Sequence, residues 1–192
     1  MTRDIEIIAL EWNSKDKPSD IPGGCYCESR DIFQARLDGM TECLLAEYKS
    51  GESAIYIISA VAGEIGNNSF DHNLGNWPDV PGIFFGYELK NGGLAVVLSD
   101  RGQGLLKTLQ KVKPELSDEK EALQVAFFEK ITGRAPENRG NGLKFVRESV
   151  KAQNFHLTFT SGDARAKLNR DFEIDSPDQK IHGCMVIIEA KL

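Results

Sequence analysis

Glu64 and Asn68, a carboxylate and a carboxamide four residues apart, are the first residues whose types and spacing could do chemistry. They lie in the run Ala60-Val61-Ala62-Gly63-Glu64-Ile65-Gly66-Asn67-Asn68-Ser69-Phe70-Asp71-His72. In a helix that spacing stacks both side chains on one face, opposite the apolar residues, and so presents polar groups to a ligand. Two later stretches share this character. Asp100-Arg101-Gly102-Gln103-Gly104 ends an apolar run on an acid and two glycines, and Arg139-Gly140-Asn141-Gly142-Leu143-Lys144 opens an amphipathic one. A glycine-led helix start leaves free N–H groups that favour phosphate, with Arg139 and Lys144 flanking it. Each feature also has an ordinary meaning. Lone helix carboxylates and carboxamides are mostly solvated, and Asp-x-Gly-x-Gly also occurs where a glycine-rich hairpin ends.

The surrounding pattern supplies elements to hold these residues. Residues 4–11 are apolar and β-branched and read as a first strand. A polar loop follows over 13–24, with Pro18 and Pro22. Phe33, Leu37, Met40 and Leu44 recur at helical spacing in 31–49, an amphipathic helix. Ser50-Gly51 breaks it, and Ser53 is placed to cap a second helix over 54–71. There Ile57, Ile58, Val61 and Ile65 face inward, and Gly66 costs about 1 kcal/mol relative to Ala, pointing to close approach of a backbone or ligand. Beyond a loop at 74–81, strands at 82–89 and 94–99 form a hairpin through Asn91-Gly92-Gly93. Residues 105–139 form a Lys- and Glu-rich insertion with one helix at 117–131, in which Phe127-Phe128 reads as core packing. A third helix runs to about 153 with Leu143, Val146 and Val150 on one face. Strands follow at 155–161 and 184–190, with a turn or strand start at 162–170. This order predicts an α+β, two-layer α/β sandwich: a mixed, largely antiparallel sheet with helices on one face.

A chain of 192 residues suits one domain, 1–192, that buries a core without disulfides. The net charge of −6 argues against a general nucleic-acid binder. No apolar run nears the roughly 18 residues of a membrane span, and the N-terminus lacks the apolar core of a secretory signal. A soluble cytoplasmic protein is the expectation. Four cysteines raise the question of zinc on Cys25, Cys27, His182 and Cys184. The spacing is tighter than usual, and reduced thiols are the simpler reading.

Taken together, the three motifs resemble the GHKL (Bergerat-fold) ATPase superfamily of gyrase, heat-shock chaperones, histidine kinases and mismatch-repair ATPases. Glu64 to His72 resembles its N box, Asp100-Arg101-Gly102-Gln103-Gly104 its first glycine motif, and Gly140-Asn141-Gly142-Leu143 its second, in order and over residues 54–192. The resemblance implies the Bergerat ATP-binding fold and ATP bound with Mg2+, whose protein ligand would be Asn68. Glu64 would orient or deprotonate the attacking water. Asp100 would accept from the adenine amino group, and Gly102, Gly104 and Leu105 would pass beneath the base into an ATP lid at 105–139. Arg139, Gly140, Asn141, Gly142, Leu143 and Lys144 would surround the phosphates. Asp71 and His72 close the N box as nucleotide contacts, although capping or solvation is the ordinary role of such a histidine.

Small members of the superfamily resemble anti-sigma-factor serine kinases. The implied activity is therefore ATP hydrolysis, or transfer of the γ-phosphoryl group to a regulatory protein partner in signal transduction. The alternative is a nucleotide-sensing module without turnover. The chain departs from the pattern in places. Gly183-Cys184 stands where Gly-Thr is frequent, and Asn67 stands where an aspartate is frequent. None of His72, His156 and His182 lies on a long dimerisation helix, and no transducer domain is evident.

Overall fold

The computed structural model describes residues 4–17, 20–21, 23–90, 92–129 and 142–192. In chain order the elements are α1 (Ile5–Ser14), β1 (Tyr26–Cys27), α2 (Arg30–Glu47), α3 (Glu52–Asn73), β2 (Ile83–Lys90) and β3 (Gly93–Asp100). They continue with α4 (Gly104–Leu109), α5 (Glu119–Phe128), α6 (Gly142–Gln153), β4 (His156–Ser161), β5 (Ala164–Leu168), β6 (Phe172–Asp175) and β7 (Cys184–Lys191). The strands form one sheet of seven in the order β1-β2-β3-β7-β4-β5-β6, and every pairing among the described residues is antiparallel. The fold is the expected two-layer α+β sandwich, except that one helix, α1, lies on the reverse sheet face instead of all helices sharing one face. Phe85, Val96, Leu98, Leu157, Phe159, Val186 and Ile188 bury one sheet face in a single core shared with the helices that follow α1. No helix among the described residues is long and apolar enough to cross a membrane.

Residues 4–11 form a helix rather than the expected strand. Asp4 caps α1 by accepting from the Glu6 N–H at 3.0 Å. Ala9 and Trp12 pack with Phe84, Val97 and Met185, so α1 covers part of the reverse sheet face. β-Branched residues track burial and packing as much as backbone preference, and here a helix buries them.

The other helices keep their expected faces with shifted ends. Ser29 caps α2 by accepting from Ile32 N–H at 3.3 Å, and Phe33, Leu37, Met40 and Leu44 are all buried. A short 3-10 turn, Lys49–Gly51, leads straight into α3, so Ser53 lies inside the helix and caps nothing. The α3 core face is Ile55, Ile58, Val61, Ala62 and Ile65, with Ile57 only partly buried. Gly66 does mark a close approach, but of a side chain rather than a backbone or a ligand: a Cβ there would overlap the Phe33 ring.

The insertion differs more. Its described residues hold two helices, α4 and α5, where one is expected. Ala122, Leu123 and Phe127 of α5 are fully buried, and Phe127 meets Phe159 edge-on at 5.6 Å. Phe128 stays partly exposed, against Phe172 at 4.8 Å and beneath the Arg147 guanidinium. β5 occupies the segment read as a turn or strand start, and β6 was not anticipated.

Gly66→Ala tests the helix packing. Overpacking costs about 1–3 kcal/mol, less the roughly 1 kcal/mol that Ala gains in helix propensity. A net loss of about 1 kcal/mol is expected in urea unfolding, recovered when Phe33→Leu is added. A more stable single variant would show that the ring does not explain the glycine.

Candidate functional site

The insertion of the last strand between β3 and β4 sets up the site. It makes Asp100, Cys184 and Ser161 direct neighbours in one row across three strands. The last turn of α3 reaches this row from the helical layer. Asp100 is 2% exposed; one carboxylate oxygen accepts from Ser69 Oγ at 2.7 Å and the other from the Gly102 N–H at 2.8 Å. Asn73 Nδ2 lies 3.5 Å from that second oxygen. Burial pushes the Asp100 carboxyl up to about 6, and donors from Ser69, Gly102, Cys184 and Asn73 limit the rise.

The flanking residues hold this acid in place. Asn13, at the end of α1, donates to the Asp100 carbonyl at 2.8 Å and to Ser99 Oγ. Arg101 is 1% exposed and turns away from Asp100. Its guanidinium donates to the carbonyls of Trp12 at 2.7 Å and Lys15 at 2.9 Å, and to Asp79 through two nitrogens at 2.8 and 2.6 Å. Carbonyls of Trp12, Asn13 and Lys15 at the C-terminus of α1 thereby find a donor. Asn73 Oδ1 accepts from the Gln103 N–H at 2.9 Å, and a Cβ on Gly102 would overlap the Asn73 carboxamide. Gly183 has φ +59°, and a Cβ there would overlap the Asp100 carbonyl oxygen and the Gly102 nitrogen. Only glycine fits this position.

Between α3, α4 and the sheet lies a narrow pocket of about 60 Å³, smaller than the usual range of small-molecule sites. Asn68, His72, Asp100, Gly104, Leu105 and Leu143 all line it, so residues from three distant segments meet there. Ser69, Asn73 and Thr108 add polar groups, while Ile65, Leu98, Phe159 and Val186 make the walls apolar. Glu64 sits one turn back on α3, accepting from Asn68 Nδ2 at 3.2 Å. Gly142, at the start of α6, rests on the Glu64 side chain so closely that a Cβ would overlap its carboxylate.

Other expected residues stand elsewhere. Asp71 does not line the pocket; its carboxylate pairs with Arg30 at the start of α2. Gly102 lies behind the wall against Asn73, and Lys144 is not among the lining residues. Arg139, Gly140 and Asn141 fall outside the described residues. The zinc set does not assemble: Cys27 and Cys184 occupy one sheet row three strands apart, about 14 Å. Among the described residues no three His, Cys, Asp or Glu side chains stand where they could hold a metal ion by themselves. Desolvation pushes the Cys184 thiol well above its ordinary range, which keeps it protonated.

Sequence reasoning missed Asn73, Thr108, Phe159 and Ser161. Asn73 follows the N-box stretch by one residue and could have been included. The others are recruited by strand order, which no local pattern encodes. The chain matches no protein-family model and no curated protein sequence.

Asp100 should leave a signature in stability against pH. Its native pKa lies near 6 against 3.8 for the free group, so the folded state holds the proton more tightly. Its contribution is therefore full below about pH 4 and is lost as pH rises through 6, on the order of 3 kcal/mol. Denaturation midpoints measured from pH 4 to 7 should fall across that window in the parent and flatten in Asp100→Asn. Parallel slopes in the two proteins would contradict the buried acid.

Proposed function

We propose that this chain is a GHKL-type ATPase domain that binds ATP with Mg2+ in the pocket between α3, α4 and the sheet. It then hydrolyses the nucleotide or passes its γ-phosphoryl group to a regulatory protein partner. The observation that supports this reading is the convergence of Asn68, Asp100 and Leu143 on one pocket. Each comes from a different motif and a different element, Asn68 from α3, Asp100 from the end of β3 and Leu143 from α6.

The chemistry of the lining fits the parts of ATP. Asp100 is an acceptor-only group at the pocket floor, suited to an exocyclic amino donor. The surrounding Ile65, Leu98, Phe159 and Val186 suit a planar base. A base without that donor forgoes a hydrogen bond to a charged group, worth about 1–3 kcal/mol, while Ser69 and Gly102 keep their own bonds to the carboxylate. Asn68 uses its Nδ2 on Glu64, which leaves its carboxamide oxygen for a cation. One such oxygen fits Mg2+, an ion that takes few protein ligands and is otherwise held by phosphates and water. When bound, the ion supplies charge neutralisation at the phosphates. Glu64, one helical turn from Asn68, would hold a water or hydroxyl, and a positioned base contributes about 10²- to 10⁴-fold in rate. The N-terminus of α6, seated on Glu64, adds N–H groups that favour phosphate. Phosphoryl transfer asks for positioning and charge stabilisation more than covalent chemistry.

Two sets of variants test the reading. Asp100→Asn should weaken ATP binding by about 5- to 150-fold in calorimetry, while Glu64→Gln keeps affinity and loses turnover. Unchanged affinity in the first excludes an adenine contact; unchanged turnover in the second favours a sensing module without catalysis. Incubation with γ-labelled ATP, scored as free phosphate against labelled protein, separates hydrolysis from transfer. For the metal, Asn68→Ala should abolish the dependence of nucleotide affinity on Mg2+, read from titrations with and without the ion. A persisting dependence would remove Asn68 as ligand.

A further inference from the structure

A second acid, Glu119 at the start of α5, reaches the same pocket from behind its α4 wall. One of its carboxylate oxygens accepts from Ser161 Oγ at 2.8 Å and from the Leu106 N–H at 3.2 Å. Ser161, fully buried at the end of β4, in turn accepts from the Leu105 N–H at 2.9 Å. Two of the N–H groups left open by the first turn of α4 are thus taken by a serine from the sheet and an acid from the next helix. The other oxygen of Glu119 lies over backbone: a Cβ on Gly104 or Gly162 would come within 3.2 or 3.1 Å of it. Gly104 has φ +76°, so it supplies both the turn into α4 and the room for this carboxylate. Burial pushes the Glu119 carboxyl up, against the hydrogen bonds from Ser161 and Leu106. Nothing in the proposed ATP chemistry uses this group, although Gly104, Leu105 and Thr108 of the helix it holds all line the pocket.

We infer that Glu119 is a positioning residue for the nucleotide site: it docks the first turn of α4 on Ser161 and so fixes the wall made by Gly104, Leu105 and Thr108. The inference rests on the ATP reading. Its logic is that of preorganisation. A wall fixed before the ligand arrives binds more tightly than one that must be ordered by it, because only the competent fraction of the free protein binds. Ser161 is the link between this acid and the sheet row that ends β3, so both carboxylates, Asp100 and Glu119, are anchored to one edge of the pocket.

The test compares Glu119→Ala, Glu119→Gln and Ser161→Ala with the parent protein, at temperatures where circular dichroism shows each folded. Glu119→Ala should weaken ATP affinity about tenfold, equivalent to one lost hydrogen bond to a charged group, and speed amide exchange at Leu105 and Leu106. Glu119→Gln, whose side-chain oxygen can accept from both Ser161 and Leu106 as one Glu119 oxygen does, should restore most of both. If Glu119→Ala does not fold, Ser161→Ala, which breaks the same chain from the sheet side, should give the loss instead. A merely structural role would lower stability without this local exchange pattern or the rescue of affinity. A parent that binds ATP and variants that bind it equally well overturn this inference alone. A parent that binds no ATP overturns the functional reading and this inference with it.

Discussion

Burying the Asp100 carboxylate at the end of β3 is the constraint on which the rest of the site depends. A buried charge is costly unless its lone pairs are filled, and here the filling comes from all sides. Ser69 and Asn73 descend from α3, Gly102 turns its N–H back from the following residue, and the neighbouring strand offers Cys184 N–H. These donors hold the last turn of α3, the turn into α4 and the start of β7 in one place. Gly183 belongs to the same constraint, because any side chain there would occupy the space of the Asp100 and Gly102 backbone. The acid is therefore both a structural anchor and, in the proposed function, the group that meets the base.

Arg101 carries that constraint to the other side of the sheet. A fully buried guanidinium is tolerated only when most of its five N–H groups find acceptors. Carbonyls of Trp12, Asn13, Lys15 and Asp16 and the Asp79 carboxylate provide them. The result is that α1, the loop after it and the segment following α3 are all tied to the residue next to Asp100. Hydrogen bonding to Arg101 holds the Asp79 carboxyl below its usual range despite the opposing effect of burial. An arginine that reads, in isolation, as the variable position of a glycine motif is thus what joins the reverse face of the sheet to the pocket.

The pocket itself divides its labour. Its polar groups are few and come from α3, the end of β3 and α4, while its apolar walls are continuous with the core under α3 and α6. Leu98, Phe159 and Val186 serve both, so the site is an opening in the main core rather than a separate surface feature. Such a site is held as rigidly as the core is packed, which favours positioning chemistry of the kind proposed.

What the sequence determined by itself was local. Helical spacing placed Phe33, Leu37, Met40 and Leu44 inside, glycine and asparagine marked the β2–β3 hairpin, and the Glu64–Asn68 spacing put both side chains within hydrogen-bond reach on α3. Those are short-range consequences of helix period and turn chemistry, legible without a partner element. Only the tertiary structure decided that the last strand enters the middle of the sheet. That one choice makes Asp100, Cys184 and Ser161 neighbours across 84 positions of sequence between Asp100 and Cys184. It also decided that residues 5–14 are helical, because an apolar β-branched stretch satisfies either period and the reverse sheet face needed a cover. Glu119 and Arg101 could not be read as site residues for the same reason: their partners lie on other elements, and no spacing along the chain records which elements will touch.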